Sequence, residues 1–399
     1  MAVGLPPTSP QFACLPASKR QAHGVHSARH LDSRAHDVAR SLQARGREVW
    51  PLLRRNCDLG QVVTVHRNLP DARTEDAAWR RGEPIFLPGI LGDAPEQHTA
   101  SIAATLQMFD RLRDGGELLD ELEGRIGDDE HLRYAGSTVD QEDAREVERI
   151  FVNAEVDGAV IAEDLWAKLA WITTDDVDVS MRIRFSNGLD QQEEWLTTTD
   201  LTGSWVDQFA LHAFPECAAV LACKPLRERL DRVIARPHRL SERIIYNNAP
   251  NGGAVFHHDA EPSQLGVVFS QLEGRTAWFT MAKPRLAKLL VKFGVANERA
   301  AIAAMDAADD PVVYELLNRD PAFAALLAAH GGLFLLRAGD SIVLPTPSFH
   351  DSAWHSVLAV GEKPSLAHSY GIFARAEDYD VCGDPWLGSG ARSTRSKHD

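Results

Sequence analysis

His257, Asp259 and His355 are the residues of this chain whose types and spacing suit a metal ion best. His257 and Asp259 stand two apart in Phe256-His257-His258-Asp259, and His355 follows at long range in Trp354-His355-Ser356-Val357. On a strand, residues i and i+2 project to one face, so His257 and Asp259 can share a surface while His258 turns away. A bulge in that strand would exchange the roles and make His258 the ligand. One more His, from a strand adjacent in space, completes two imidazoles and a carboxylate on one face of a metal. The opposite face stays open, and Fe(II) held this way binds O2 and a cosubstrate side by side.

Such residues need rigid elements to hold them. From Arg243 the chain reads as short apolar or β-branched segments, IIYNN, AVFHHD, LGVVFSQL and RTAWFTM, separated by Pro-Asn-Gly-Gly, Glu-Pro and Glu-Gly. An Ala-rich helical stretch, about 284–330, interrupts them before LFLL, DSIVLP, WHSVLAV and LAHSYGIF. Upstream, VDVSMRIRFS alternates Val177, Val179, Met181, Ile183 and Phe185 with polar residues, a half-buried strand that ends at Asn187-Gly188. SWVDQFALHAF and PLRERLDRVIA read as helices, as does Asp32 to Arg55, with Pro51 ending or kinking it. Residues 100–150 hold helix formers with many acids, split at Gly115-Gly116 and read as a solvated surface. The expected organisation is a loosely docked or disordered tail at 1–30, a mainly helical region at 31–170, a β domain at 171–387 and a disordered tail at 388–399. The fold class is α+β with a mainly β core.

Composition narrows the function. The 399 residues are 44% hydrophobic and 25% charged, ordinary for a globular protein, and carry a net charge of -15. That sign argues against nucleic acid and anionic membrane surfaces as partners. No apolar run approaches the length of a membrane span, and the N-terminus lacks the basic start and apolar core of a secretion signal. The five cysteines, Cys14, Cys57, Cys217, Cys223 and Cys382, form no CxxC or Cys/His cluster. Free thiols in a reducing, cytoplasmic setting are expected, with Cys217 and Cys223 in a helix core. No GxSxG, P-loop or GxGxxG element is present.

Residues 177–375 resemble the JmjC-like cupin family of Fe(II)/2-oxoglutarate oxygenases. The matching segments are MRIRFSNG, HHD, FSQLEGRTAW, RAGDSIVLP, WHSV and SLAHSYGI, in the family's order. The resemblance implies a double-stranded β-helix (cupin, jelly-roll) with a helical N-terminal region and a helical insertion. It implies Fe(II) on His257, Asp259 and His355, with 2-oxoglutarate as cosubstrate and O2 as oxidant. His350, five residues after Pro345, is the rival distal ligand. His355 is preferred because it follows Trp354 as in the family's Trp-His element. The expected activity is hydroxylation of an unactivated C–H of a small molecule or peptide. Many helical extensions in the family dimerise, so a homodimer is an option.

One departure concerns the cosubstrate. Where the family often carries a Lys for the far carboxylate of 2-oxoglutarate, Gly274-Arg275-Thr276-Ala277-Trp278 offers Thr276. A dicarboxylate needs a cation or several donors. Candidates are Arg275, aimed by alternation to the other face, His368 and Tyr370 on the last strand, and Arg182 and Arg184, read as exposed. Tyr246, Asn248 and Gln271 could line the pocket, or could be an edge-of-core Tyr, a turn Asn and a buried Gln with some internal partner. The missing Lys leaves two alternatives open: a metal cupin enzyme that does not use 2-oxoglutarate, and a non-catalytic cupin-fold binding protein.

Overall fold

Strands buried on both faces form the centre of this protein, and they face each other in two main sheets. The computed structural model describes residues 25–31, 40–41, 43–44, 47–55, 57–66, 68–127, 129–139, 146–172, 180–187, 200–259, 264–307, 310–348 and 351–374. Strands β1 (Val25–Leu31), β2 (Val49–Arg54) and β3 (Cys57–His66) form a small antiparallel sheet with β3 in the centre. Helix α1 (Ala72–Arg80), β4 (Ile85–Leu87) and helices α2 (Ala94–Gln97), α3 (Thr99–Arg113) and α4 (Leu118–Ile126) follow. Next come β5 (Leu132–Thr138), β6 (Glu146–Val156), β7 (Ala159–Trp171), β8 (Met181–Asn187), α5 (Asp200–Ala213), α6 (Ala218–Leu221), α7 (Lys224–Ile234) and β9 (His238–Asn248). Strands β10 (Gln264–Glu273) and β11 (Arg275–Ala282) lead into α8 (Lys283–Lys292), α9 (Glu298–Ala307), α10 (Pro311–Arg319) and α11 (Pro321–Ala329). The chain ends in β12 (Leu333–Arg337), β13 (Ser341–Pro345), β14 (Ala353–Ala359) and β15 (Ser365–Ala374).

The large sheet has nine strands in the order β4-β13-β10-β15-β9-β8-β7-β6-β5, and the facing sheet has the order β12-β11-β14. All their ladders are antiparallel. Phe86, Val267, Phe269, Trp278, Phe334, Ile342, Leu344 and Val357 fill the space between the two sheets. The chain switches sheets at the β10–β11 turn, where Gly274 takes φ +72°. This sandwich fits the expected jelly-roll class. The outer face of the large sheet packs Ile183, Phe185 and Tyr370 against Phe109, Phe209 and Phe214 from the helical side. The outer face of the small sheet packs Met281, Leu335 and Leu358 against Leu286, Leu290, Phe323 and Leu327 of the insertion.

The insertion is helical as expected, and its divisions are chemical. Asp310 and Asp320 each cap a helix N-terminus by accepting two backbone N–H bonds, and each precedes a Pro at the first helical position. The helices expected over SWVDQFALHAF and PLRERLDRVIA are present as α5 and α7, and the break at Gly115-Gly116 is present between α3 and α4.

Several expectations are corrected. Val49 to Arg54 is a strand rather than the end of a helix: Leu52 and Arg54 are buried while Leu53 is exposed, a period of two. Pro51 fits because β2 is an outer strand, where a missing N–H costs no ladder bond. Residues 31–170, expected to be mainly helical, carry strands β2 to β7 beside their helices. In β6, Ile150, Val152 and Ala154 are fully buried and alternate with Arg149, Phe151 and Asn153, so the period selects sheet. Cys217 is buried at the end of a short 3-10 helix, as expected for a helix core, whereas Cys223 is buried at the N-cap of α7. AVFHHD is not a regular strand; isolated bridges Pro250–Ala359 and His257–His355 hold that stretch against β14. Val25–Leu31 forms β1, so the last residues of the expected 1–30 tail are a paired strand. Val177, Val179, Cys14, Cys382, residues 1–24 and residues 388–399 lie outside the described residues.

Gly253 lets this segment approach β14. Its φ is +140°, and a Cβ there would stand 2.4 Å from the Val357 carbonyl oxygen. Gly253→Ala is therefore expected to lower the free energy of urea unfolding by about 1–3 kcal/mol. An unchanged midpoint would show that the segment relaxes freely.

Candidate metal centre

His257 and His355 form a reciprocal backbone pair: His257 N–H donates to His355 O at 2.9 Å, and His355 N–H donates to His257 O at 2.8 Å. Residues paired this way send their side chains to the same face. Their rings lie 4.2 Å apart between centroids. Asp259 closes the triangle, with its carboxylate oxygens 3.7 Å from His257 Nε2 and 3.6 Å from His355 Nε2. Among the described residues this is the group of three His, Cys, Asp or Glu whose donor atoms converge, all within 4.8 Å of one another.

The outer contacts set the imidazoles for ligation. His257 Nδ1 lies 2.8 Å from Val255 O and His355 Nδ1 3.4 Å from Ala353 O. Donation from Nδ1 to a carbonyl leaves each Nε2 lone pair facing Asp259. Trp278 stacks on His355 at 5.4 Å and 22°. Burial, reinforced by His257 nearby, lowers the His355 pKa to about 3, so the ring is neutral at pH 7. Burial by itself would raise the Asp259 carboxyl, but His355, His257 and Arg182 together hold it below its ordinary value. A neutral imidazole at His355 and an ionised carboxylate at Asp259 are protonation states a divalent cation binds. A donor set of two nitrogens and one carboxylate, without thiolate, fits Fe(II) with open positions.

His258 faces away. Its ring stacks on Trp354 at 4.8 Å, and Nδ1 lies 2.9 Å from Ser352 Oγ. Burial and then Lys283 lower its pKa to about 4. His350 lies outside the described residues; among the described ones, His355 reaches Asp259 from the distal segment.

The triad opens on a cavity lined by Arg182, Tyr246 and Asn248, with Val267, Phe269, Leu344 and Val357 as apolar walls. Tyr246 and Asn248 line this cavity, but six other cosubstrate candidates do not: Gln271, Thr276, Arg275, His368, Tyr370, which packs on the helical side, and Arg184, which lies over the Trp166 ring. Gln271 is fully buried and internally satisfied: Nε2 donates to Glu273 O at 2.6 Å and Leu366 O at 3.0 Å, and Oε1 accepts from Thr276 at 2.7 Å. Thr276 Oγ1 in turn accepts from Trp278 Nε1 at 3.1 Å, so Thr276 and Gln271 brace the ring behind His355. Arg275 lies over the Trp50 ring at 3.8 Å, in a separate cleft at the strand turns with Arg337 and Lys363. His368 is buried on the helix-packed face of β15, with Nε2 3.8 Å from Glu216 Oε1, because Leu366, Tyr370 and Ile372 take that same face. The cavity's cation is Arg182, which alternation had placed on the face opposite Met181, Ile183 and Phe185. That face, read as solvent, is the one that continues into the sandwich.

Fold and site together define a class: an antiparallel β-sandwich with a candidate two-His, one-carboxylate metal centre at the mouth between its sheets. No family model matches the chain, and no curated protein matches it. Among solved structures it is similar to an oxidoreductase of the 2OG-Fe(II) oxygenase family from Burkholderia pseudomallei, at 13% identity and TM-score 0.31, over 77% of this chain and 93% of that one. It is similar to SnoN, a non-heme alpha ketoglutarate dependent epimerase from nogalamycin biosynthesis, at 14% identity and TM-score 0.30, over 82% and 93%. It is also similar to YcfD, a ribosomal oxygenase from Escherichia coli, at 16% identity and TM-score 0.26, over 64% of this chain and 43% of that one. Likeness of this degree leaves the reaction to be read from the site's own residues.

His368 provides a test independent of the metal. Burial, with His98 adding to it, lowers its pKa from 6.5 to about 3. The unfolded side chain takes up a proton near pH 6.5 and the folded one only near 3, so its contribution to stability is present above pH 6.5 and lost as the pH falls toward 3. Glu216, raised by burial, offsets part of this slope. In urea titrations at a series of pH values, His368→Gln is expected to give a shallower acid limb than the wild type. Parallel limbs would mean that His368 is already protonated in the fold.

Proposed function

We propose that this protein is a mononuclear non-haem Fe(II) oxygenase that uses 2-oxoglutarate and O2 to hydroxylate an unactivated C–H bond of a small molecule or peptide. The supporting observation is the triangle of His257 Nε2, His355 Nε2 and an Asp259 oxygen, with both Nδ1 atoms turned to carbonyls and a cation, Arg182, on the wall of the same cavity. The alternation of strands between the sheets supports reading the sandwich as a double-stranded β-helix. Bound Fe(II) would supply a place for O2 and a chelating 2-oxo acid together, coupling C–H oxidation to release of succinate and CO2.

The residues do the rest. His257, Asp259 and His355 hold one face of the cation, and the carboxylate offsets one of its two charges. Arg182 is placed to pair with the far carboxylate of the cosubstrate, in the role the sequence had offered to the Thr276 position, and Tyr246 and Asn248 supply further donors. Val267, Phe269, Leu344 and Val357 keep water from the reacting centre. The cavity measures about 40 Å³, so its lining side chains must shift to admit a five-carbon diacid. Among the described residues no helix is long and apolar enough to cross a membrane, and Cys57 and Cys217 are free thiols. A cytoplasmic enzyme with no nucleic-acid or membrane partner completes the proposal.

Two experiments test it. Anaerobic titration should show about one Fe(II) per chain, and Asp259→Ala should lose it along with succinate formation, since one of three ligands is gone. Full occupancy in Asp259→Ala would sink the metal assignment. In the ferrous protein, 2-oxoglutarate should produce a weak visible charge-transfer band. Arg182→Met should weaken that binding by roughly 1.5–3 kcal/mol, the worth of a hydrogen bond to a charged group, while iron stays bound. No band at millimolar 2-oxoglutarate with iron in place would favour a cupin enzyme with a different cosubstrate.

A further inference from the structure

The segment that carries His257 is joined to β14 irregularly. Val357 N–H donates to Ala254 O at 3.0 Å, and the next paired residues are His257 and His355. Three steps along one segment therefore oppose two along the other, which is a β-bulge. The bulge sets which residue meets His355: without the extra step Phe256, not His257, would sit opposite it. It also leaves backbone groups that the ladder does not satisfy, in a place where water is excluded.

Two side chains from remote parts of the chain take up these groups, the Phe256 N–H and the Val357 carbonyl. Ala254 O, already paired with Val357 N–H, accepts a second bond. Asn318, at the end of α10 and 2% exposed, accepts the Phe256 N–H on Oδ1 at 2.8 Å. Arg54, on β2 and 4% exposed, donates to Val357 O at 3.0 Å, Ala254 O at 3.2 Å, Ser356 Oγ at 2.5 Å and Asn318 Oδ1 at 3.0 Å. Asn318 Nδ2 donates back to Tyr314 O at 3.1 Å, which fixes the direction of its amide. One guanidinium thus touches both His-bearing segments, three residues before His257 and one and two residues after His355. Lys could not reproduce this, because it lacks the planar fork of donors.

We propose that Arg54 and Asn318 are positioning residues of the metal centre: they staple the bulge and thereby aim His257 Nε2 at the same point as His355 Nε2. The proposal rests on the metal reading above. Residues that orient metal ligands from behind change affinity without touching the ion.

The test uses the full chain and Co(II), whose visible bands report ligand geometry. Asn318→Leu, similar in size but without an acceptor, should weaken Co(II) binding about tenfold and shift the bands. Asn318→Asp keeps the acceptor oxygen and should stay close to wild type, and Arg54→Met should resemble Asn318→Leu. Wild-type affinity and spectrum in a folded Asn318→Leu, judged by circular dichroism, would overturn the proposal. Should that variant fail to fold, hydrogen exchange on the wild type decides: the Phe256 amide should be as protected as those of β14, and fast exchange would overturn the staple. A wild-type chain that takes up no Co(II) overturns the metal reading and the aiming role with it, whereas uptake that is insensitive to Asn318→Leu overturns the staple alone.

Discussion

The paired backbone of His257 and His355 is the constraint on which the site depends. Two hydrogen bonds of 2.9 and 2.8 Å bring residues from separate parts of the chain onto one face and set their rings 4.2 Å apart. A one-residue slip would send His258 or Trp354 toward Asp259 instead. Around this pair the structure is built in layers: β11 lies beside β14, Trp278 backs His355, and Thr276 and Gln271 hold Trp278. Thr276 matters to the site in this way, as a brace behind a ligand.

The same arrangement settles the electrostatics. Burial keeps the His355 ring neutral, and against the effect of burial the imidazoles and Arg182 around Asp259 hold its carboxyl below its ordinary value. A neutral donor and a charged one, side by side in a poorly solvated mouth, present a divalent cation with ligands in the required states before it arrives. The apolar fill between the sheets keeps the dielectric low, which strengthens every charge interaction there. Arg182 works within this field from β8, a strand brought to the cavity by pairing with β9. The nine-stranded sheet thus brings a basic side chain to the cavity wall from beyond β9.

The parts outside the sandwich are also mechanical. Sheet β1-β3-β2 and the helical insertion pack on the outer face of the small sheet through Leu52, Val62, Phe323 and Leu327. From that side come Arg54 and Asn318, which reach through to the bulge. An edge segment beside an open site has few neighbours to hold it, and these two side chains replace the missing strand.

Much of this was legible in the residues. Period-two alternation identified β8, short apolar or β-branched segments between turn residues identified the strands from β9 onward, an Ala-rich stretch marked the helical insertion, and the His-x-Asp triplet with a later Trp-His identified the three converging donors. These are local signals, carried by neighbours in sequence, because strand geometry and helix capping act over a few residues. Other features were non-local. Whether Arg182 faced solvent or the cavity depended on which sheet covered its face. Whether Gln271 and His368 met a ligand or a core depended on register in β10 and β15. Whether Val49 to Arg54 was helix or strand depended on its pairing with β3. The choice of His257 over its neighbours rested on one extra residue in a bulge, held by an Arg and an Asn more than two hundred positions apart. The sequence alone determined which residue types were on hand for a metal and a diacid; only the tertiary structure decided which of them share a surface, because a side chain's neighbours across a sheet are set by pairing partners that local periodicity does not encode.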